Sequence, residues 1–205
     1  MKVLIINGSP RENGNTAIAL KEMENVFKSQ GIEVKNVQIG KEAIRGCMAC
    51  YSCKKTGKCA IDDAVNVVAK DFEESDGIVI GSPVYYSSAN GTLISFLDRL
   101  FYSTNFNKTM KVGASVAVAR RGGCSSTFDE LNKYFTICGV AVASSQYWNS
   151  VHGRNIGEAV EDAEGLQTMR TLANNMVFLM KSIALGKEKF GLPEKEKPIA
   201  TNFVK

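Results

Sequence analysis

The sequence predicts an α/β fold built on one parallel sheet with helices on both faces. Three observations carry that reading. Short apolar runs rich in Val and Ile alternate with segments of helical spacing along most of the 205 residues. The runs are nearly continuous rather than alternating, as strands buried on both faces require. Short turn-forming loops join them, and this order of elements belongs to a βαβ sheet.

Taken in order, Val3 to Ile6 is the first strand run, and Asn7-Gly8-Ser9-Pro10 ends it with turn chemistry. A polar loop from Arg11 to Asn15 leads into a helix with apolar positions at Ile18, Ala19, Met23, Val26 and Phe27, stopped at Gly31. Asn15 or Thr16 is the expected N-cap of that helix. Ile32 to Ile39 gives the second strand. A cysteine-rich segment follows, then a helix from Asp63 to Glu74. Gly77 to Gly81 is the third strand, ending at Ser82-Pro83, and Leu93 to Tyr102 is helical in spacing. Val112 to Ala119 is the fourth strand, followed by a helix carrying Phe128, Leu131 and Phe135. Val140 to Tyr147 reads as the fifth strand, and Glu158 to Leu185 as a long final helix. The expected organisation is one domain, residues 1–186, with a charged tail, residues 187–205, over the surface or against a neighbouring subunit.

Composition excludes several classes. With 25 Lys and Arg against 21 Asp and Glu, the net charge is +4. That small excess, without a dense basic block, argues against nucleic acid as a partner. No apolar run approaches the ~18 residues of a membrane span. The opening MKVLIING lacks a signal-peptide cleavage site, so the expected location is the cytoplasm. A single histidine, His152, excludes mechanisms that need several imidazoles; it reads as a packing residue. No Ser-His-Asp or paired-carboxylate arrangement is visible, so no side chain is assigned as a catalytic nucleophile.

In an open parallel sheet, ligands bind beyond the carboxyl ends of the strands. Three loops lie there. The first, Gly8 to Thr16, combines Ser9, Arg11, Asn13, Gly14, Asn15 and Thr16 at a helix start, where free N–H groups favour a phosphate. It is neither a Walker loop nor the dinucleotide fingerprint. The second, Ser82 to Gly91, carries Pro83, Val84, Tyr85, Tyr86 and Ser87, with aromatics able to wall a flat ring. The third, Ala119, Arg120, Arg121 and Gly122 onward, lets backbone approach a ligand beside guanidinium charge.

The motifs G-S-P-R-x-N-G-N-T and S-P-V-Y-Y-S-x-x-N-G-x-L-x-x-F-L-D-R resemble the flavodoxin-like NAD(P)H-dependent FMN reductase superfamily, from residue 3 to about 185. The resemblance implies a three-layer sandwich with strand order 2-1-3-4-5. It implies FMN, its phosphate on Ser9, Arg11, Asn13, Asn15 and Thr16, and its ring against Pro83 to Ser87 and Ala119 to Gly122. It also implies a homodimer or homotetramer, for which Met169, Met176, Phe178 and Met180 of the last helix are candidate interface residues, with core packing as the competing explanation.

Cys47, Cys50, Cys53 and Cys59 form C-x2-C-x2-C-x5-C. In a reducing compartment such a cluster reads as metal-binding or redox-active. A [4Fe–4S] cluster, free redox-active thiols and zinc all fit this spacing. The pattern also resembles that of iron–sulfur flavoproteins, a branch of the same superfamily, although Ala60 stands where ferredoxins often have proline. Cys124 and Cys138 read as inert packing thiols.

The functional expectation is an FMN-dependent oxidoreductase passing electrons from NAD(P)H, as substrate, or from ferredoxin to a small-molecule acceptor. A non-enzymatic flavodoxin-type carrier and a cysteine-based redox sensor are the rivals.

Overall fold

The computed structural model describes all residues except Pro198, Asn202, Val204 and Lys205. The chain forms β1 (Lys2–Asn7), α1 (Asn15–Ser29), β2 (Glu33–Gln38), α2 (Ser52–Thr56), α3 (Ala64–Glu74), β3 (Gly77–Pro83) and α4 (Gly91–Ser103). It continues through β4 (Val112–Ala119), α5 (Cys124–Thr136), β5 (Ala141–Val142), β6 (Ser150–His152), a 3₁₀ turn (Glu158–Glu161) and α6 (Ala163–Phe190). The sheet is parallel in the order β2-β1-β3-β4-β5, with β6 also paired to β4. This is the expected flavodoxin-like sandwich.

Side chains of successive strand residues point to opposite faces, so each strand feeds two cores. Val3, Ile5, Val79 and Val116 face Met23 and Phe27 of α1 and Leu172 and Met176 of α6. Leu4, Ile6, Ile78 and Ile80 face Phe72 of α3, Phe96 and Leu97 of α4, and Phe135 of α5. The edge strand β2 is largely exposed by contrast. Met169, Met176 and Met180 are buried in the first core, so core packing accounts for them; Phe178 alone of the four expected interface residues is exposed.

Three boundaries differ from the sequence reading. The fifth strand is not continuous from Val140 to Tyr147 but two short pieces on one lane of the sheet. Val112 and Gly113 pair with β5, and Ala117 to Ala119 pair with β6. Between them Asn149 takes over: its side chain donates to the carbonyl of Ser115 at 3.0 Å, and its carbonyl accepts from the amide of Ala117 at 3.0 Å. A buried backbone group must be satisfied by something, and here an amide side chain replaces a ladder partner. The last helix begins after the 3₁₀ turn, with Asp162 as its cap (Oδ1 accepts from Gly165 N at 2.9 Å), and runs to Phe190. Residues assigned to the tail from Lys187 therefore start as helix. Finally, Gly14, not Asn15 or Thr16, occupies the N-cap of α1, and no side chain caps that helix.

Candidate functional site: the carboxyl edge and the cysteine cavity

The first loop is held from below by strand ends. Gly8 N donates to the carbonyl of Gly81 at 2.8 Å, and Ser9 N to Asn7 Oδ1 at 2.9 Å. Gln38 donates to the carbonyl of Ser9, and a Cβ at Gly40 would collide with the backbone of Gly8 and Ser9. The loop is thus fixed by close backbone packing that only glycine permits.

What it presents is an open helix start, a place that favours an anion. The first-turn amides of α1 lack a side-chain cap, and that turn contains no acidic residue. Thr16 is buried within this turn, 2% exposed as a residue. A hydroxyl beside free N–H groups at an uncapped helix start is a donor set that suits a phosphate oxygen. Asn15 behaves differently from expectation. Its Oδ1 accepts from the amides of Gly157 and Ala159 at 3.0 and 3.2 Å, and its Nδ2 donates to the carbonyl of Asn155 at 2.8 Å. The side chain ties the loop at 153–159 to α1, leaving the Asn15 amide facing the site. Arg11 and Asn13 are exposed at the rim.

The second and third loops are locked together. Tyr86 and Ser87 hold left-handed conformations (φ 50° and 61°) inside a tight turn closed by reciprocal Tyr85 and Ser88 backbone bonds of 2.8 and 3.0 Å. Non-glycine residues there cost of order 1 kcal/mol each and persist where the surroundings impose them. Tyr86 is fully exposed and Tyr85 nearly half exposed. Glu130 of α5 clamps the turn, accepting from Ser88 Oγ at 2.8 Å and from Ala89 N at 2.7 Å. Ser126 donates to the carbonyl of Ser87 at 2.6 Å. Gly123, at φ 90°, packs so closely that a Cβ would stand 2.8 Å from Val84 Cγ1 and 2.9 Å from Ser87 Cα. Beside it Gly122 faces open space. Pro83 ends β3 with Val84 next to it, and Ala119 ends β4 with Arg120 and Arg121 exposed beyond. A cavity of about 670 Å³ lies elsewhere, along α1 and β2, and reaches the first loop only at Glu12 and Asn13. The carboxyl edge carries the convergent polar groups and is the better candidate.

Cys47, Cys50, Cys53 and Cys59 all line one small cavity, with Met48, Tyr51, Tyr102 and Arg99. The chain bends between them: Ala49 and Tyr51 are left-handed (φ 52° and 56°), as is Gly57 (φ 72°). Arg99, 1% exposed, donates through Nε and Nη2 to Cys59 Sγ, both at 3.3 Å, while pairing with Asp63 at 2.7 and 2.9 Å. Burial works against the guanidinium charge, but Asp63 and Cys59 raise its pKa overall. Among the described residues no three His, Cys, Asp or Glu side chains stand where they could hold a metal ion. The donor set and the buried cation fit a thiolate-ligated anionic cluster; the sulfurs as placed do not form a closed single-ion site. The cavity lies against the second half of α4. Arg99 is eight residues from Gly91, where α4 leaves the carboxyl edge, about 12 Å at ~1.5 Å per residue.

Two features escaped the sequence reading. Cys124, the first residue of α5, is half-buried with its Sγ 4.0 Å from His152 Nε2, and His152 Nδ1 lies 3.4 Å from Asp162 Oδ2. Three residues far apart in sequence converge because β6 lies beside β4 and α6 starts next to it. The clamp by Glu130 likewise depends on tertiary packing that no local motif signals.

A doubly wound sheet in this strand order, with an uncapped helix start and two interlocked loops at its carboxyl edge, defines a flavodoxin-like protein. Comparison with known proteins narrows the class. The chain belongs to the NADPH-dependent FMN reductase family, whose sequence profile matches residues 1–155, and it is an FMN-dependent oxidoreductase of that family. It is 34% identical over 191 residues to an iron-sulfur flavoprotein of Methanocaldococcus jannaschii, covering 89% of this chain and 99% of that protein. It is 30% identical over 193 residues to an iron-sulfur flavoprotein of Methanosarcina thermophila, covering 92% and 100%. Among solved structures, RosB with the bound intermediate 8-demethyl-8-formylriboflavin-5'-phosphate shares the fold at a TM-score of 0.73 and 15% identity, over 99% of this chain and 92% of that one. No helix among the described residues is long and apolar enough to cross a membrane.

Proposed function

We propose that the chain takes electrons from NADPH, NADH or a reduced ferredoxin onto FMN at the carboxyl edge and hands them to a small-molecule acceptor, with a [4Fe–4S] cluster on Cys47, Cys50, Cys53 and Cys59. The observation that carries the cluster assignment is the convergence of all four cysteines on one cavity, with a buried arginine donating to one of the sulfurs. The iron-sulfur flavoprotein relatives support the same reading. FMN, when bound, supplies the hydride and electron chemistry. The side chains hold and orient it.

Ser9, Arg11, Asn13, Gly14 and Thr16, with the Asn15 amide, take the phosphate. Pro83, Val84, Tyr85, Tyr86 and Ser87 border one side of the ring, and Ala119, Arg120, Arg121 and Gly122 the other. Arg99 balances thiolate charge at Cys59, and the exposed Lys54, Lys55 and Lys58 provide a face for an acidic electron-transfer partner such as ferredoxin. In this reading the protein acts in the cytoplasm as a homodimer or homotetramer. An apolar cavity of about 440 Å³ beside Cys47, bordered by Tyr51, Phe101, Tyr102 and Ile137, supports a shared interface.

Protein prepared and kept without oxygen tests the assignment. It should contain about four irons per chain, as one [4Fe–4S] cluster demands, and lose them in Cys50→Ala. Anaerobic addition of NADPH should bleach the flavin absorbance. Freely titrating thiols without iron would remove the cluster from the account. A flavin reduced by neither nicotinamide nor ferredoxin would remove the donors.

A further inference from the structure

We propose that Cys124, His152 and Asp162 form a thiol-exchange site, in which Cys124 is modified by an acidic low-molecular-weight disulfide with His152 as its base. The carboxylate of Asp162 is fixed before it meets the imidazole: Oδ1 accepts from Gly165 N at 2.9 Å and Oδ2 from His152 N at 2.6 Å. Oδ2 also faces Nδ1 of the ring at 3.4 Å. A carboxylate on Nδ1 favours the tautomer that keeps the Nδ1 proton and turns the Nε2 lone pair outward. That lone pair faces Cys124 Sγ at 4.0 Å. Nucleophile, base and orienting acid thus stand in sequence, the arrangement that activates a weak nucleophile.

Burial and the Asp162 charge push the Cys124 thiol above its ordinary value. The thiol therefore rests protonated, and exchange needs a base. The charged groups around the ring are few. Asp162 approaches from the start of α6, while Glu158 is turned back onto the amides of Arg154 and Asn155 at 2.6 and 2.8 Å. Arg120 and Arg121 precede Cys124, Arg154 follows His152, and all three are exposed. These flanking guanidinium groups give the approach to the site a cationic surface, although the charge acting on the thiol itself is that of Asp162. That surface favours an anionic disulfide in the encounter.

In the step itself, Nε2 takes the thiol proton as Cys124 sulfur attacks one sulfur of the disulfide. The new S–S bond forms, the old one breaks, and the departing thiolate takes the proton from the imidazolium. Cys124 is oxidised to a mixed disulfide, and one half of the reagent leaves as a reduced thiol. Because Ala119 pairs with His152 in the sheet, the adduct forms at the rim of the third loop.

The experiment treats the intact protein with 5,5'-dithiobis(2-nitrobenzoate), an anionic disulfide, or with cystamine, a cationic one. Peptide mass mapping then follows each cysteine separately. Cys138, half-buried like Cys124 and without the chain's only imidazole, is the internal control, with Cys124 of the His152→Ala protein as the second because Cys138 lines the cavity proposed as an interface. Cys124 should react with the anionic reagent on the order of a hundredfold faster than Cys138, the usual scale of general-base assistance. It should also prefer that reagent to cystamine. His152→Ala should bring Cys124 down to the rate of Cys138, and free imidazole should restore it. Asp162→Asn, which keeps a capping oxygen, should slow Cys124 without altering Cys138. A Cys124 no faster than Cys138 in the unaltered protein, or a His152→Ala rate that is unchanged or not rescued by imidazole, overturns the relay. An equal or higher rate with cystamine overturns the acidic partner. All rates are compared at one and the same flavin and iron content, so a failure of the relay is distinguished from a failure of the cofactor assignment.

Discussion

Thr16 concentrates the chemistry of the anion site in one side chain. Thr16 is buried in the first turn of a helix that no side chain caps, and in the proposed site its hydroxyl donates to a phosphate oxygen. A hydrogen bond to a charged group contributes about 1.5–3 kcal/mol, roughly ten- to a hundredfold in affinity. Thr16→Val keeps the shape and removes only the hydroxyl. FMN titration of the stripped protein should therefore find a dissociation constant raised by that factor with the melting temperature little changed; an unaltered constant would place the phosphate elsewhere. The residue types of this loop are legible in the sequence because hydroxyls, amides and an arginine gather at one helix start. The division of labour is not. Asn15 is diverted to the amides of Gly157 and Ala159, about 140 positions away, and nothing local marks that partner. His152 is the same case: a lone histidine in the sequence, it acquires a thiol and a carboxylate only when β6 lies beside β4.

At the scale of elements, the site is rigid because the second and third loops are built as one piece. Gly123 is the joint, left-handed and pressed against Val84 and Ser87. Gly123→Ala adds both a strained φ and a collision, which together should cost about 1–3 kcal/mol. Thermal melting should fall accordingly and FMN should bind more weakly, because Tyr85 and Tyr86 lose their seating. A variant that melts and binds flavin like the parent would show that the loops are independent. Apart from the short α2 within the cysteine segment, which the sequence reading did not include, strands and helices up to Thr136 follow the hydrophobic pattern, since β3 and β4 are buried along their length. The pattern fails at the fifth lane. Val140 to Tyr147 is apolar enough to read as a strand, but the chain leaves the sheet after Val142 and returns at Ser150, and the gap is filled by the side chain of Asn149. An amide that substitutes for a ladder bond carries no periodic signal.

For the molecule as a whole, the sheet sorts function by edge. The carboxyl edge carries the anion site, the paired loops and the Cys124 relay, while the cysteine cavity is set about 12 Å along α4. The assembly we propose would cover apolar surface that the single chain leaves open, including Phe178, Trp148 and Tyr51. Light scattering at micromolar concentration should give at least twice the chain mass of 22.3 kDa; a monomer would rule the assembly out. The central claim is that one phosphate-type loop and two ring-bordering loops make a mononucleotide flavin site. Heat release of the cofactor from purified protein, followed by chromatography, tests it most directly. The account predicts FMN at about one per chain, as a single helix-start phosphate site allows; FAD alone, or no flavin at all, would contradict it.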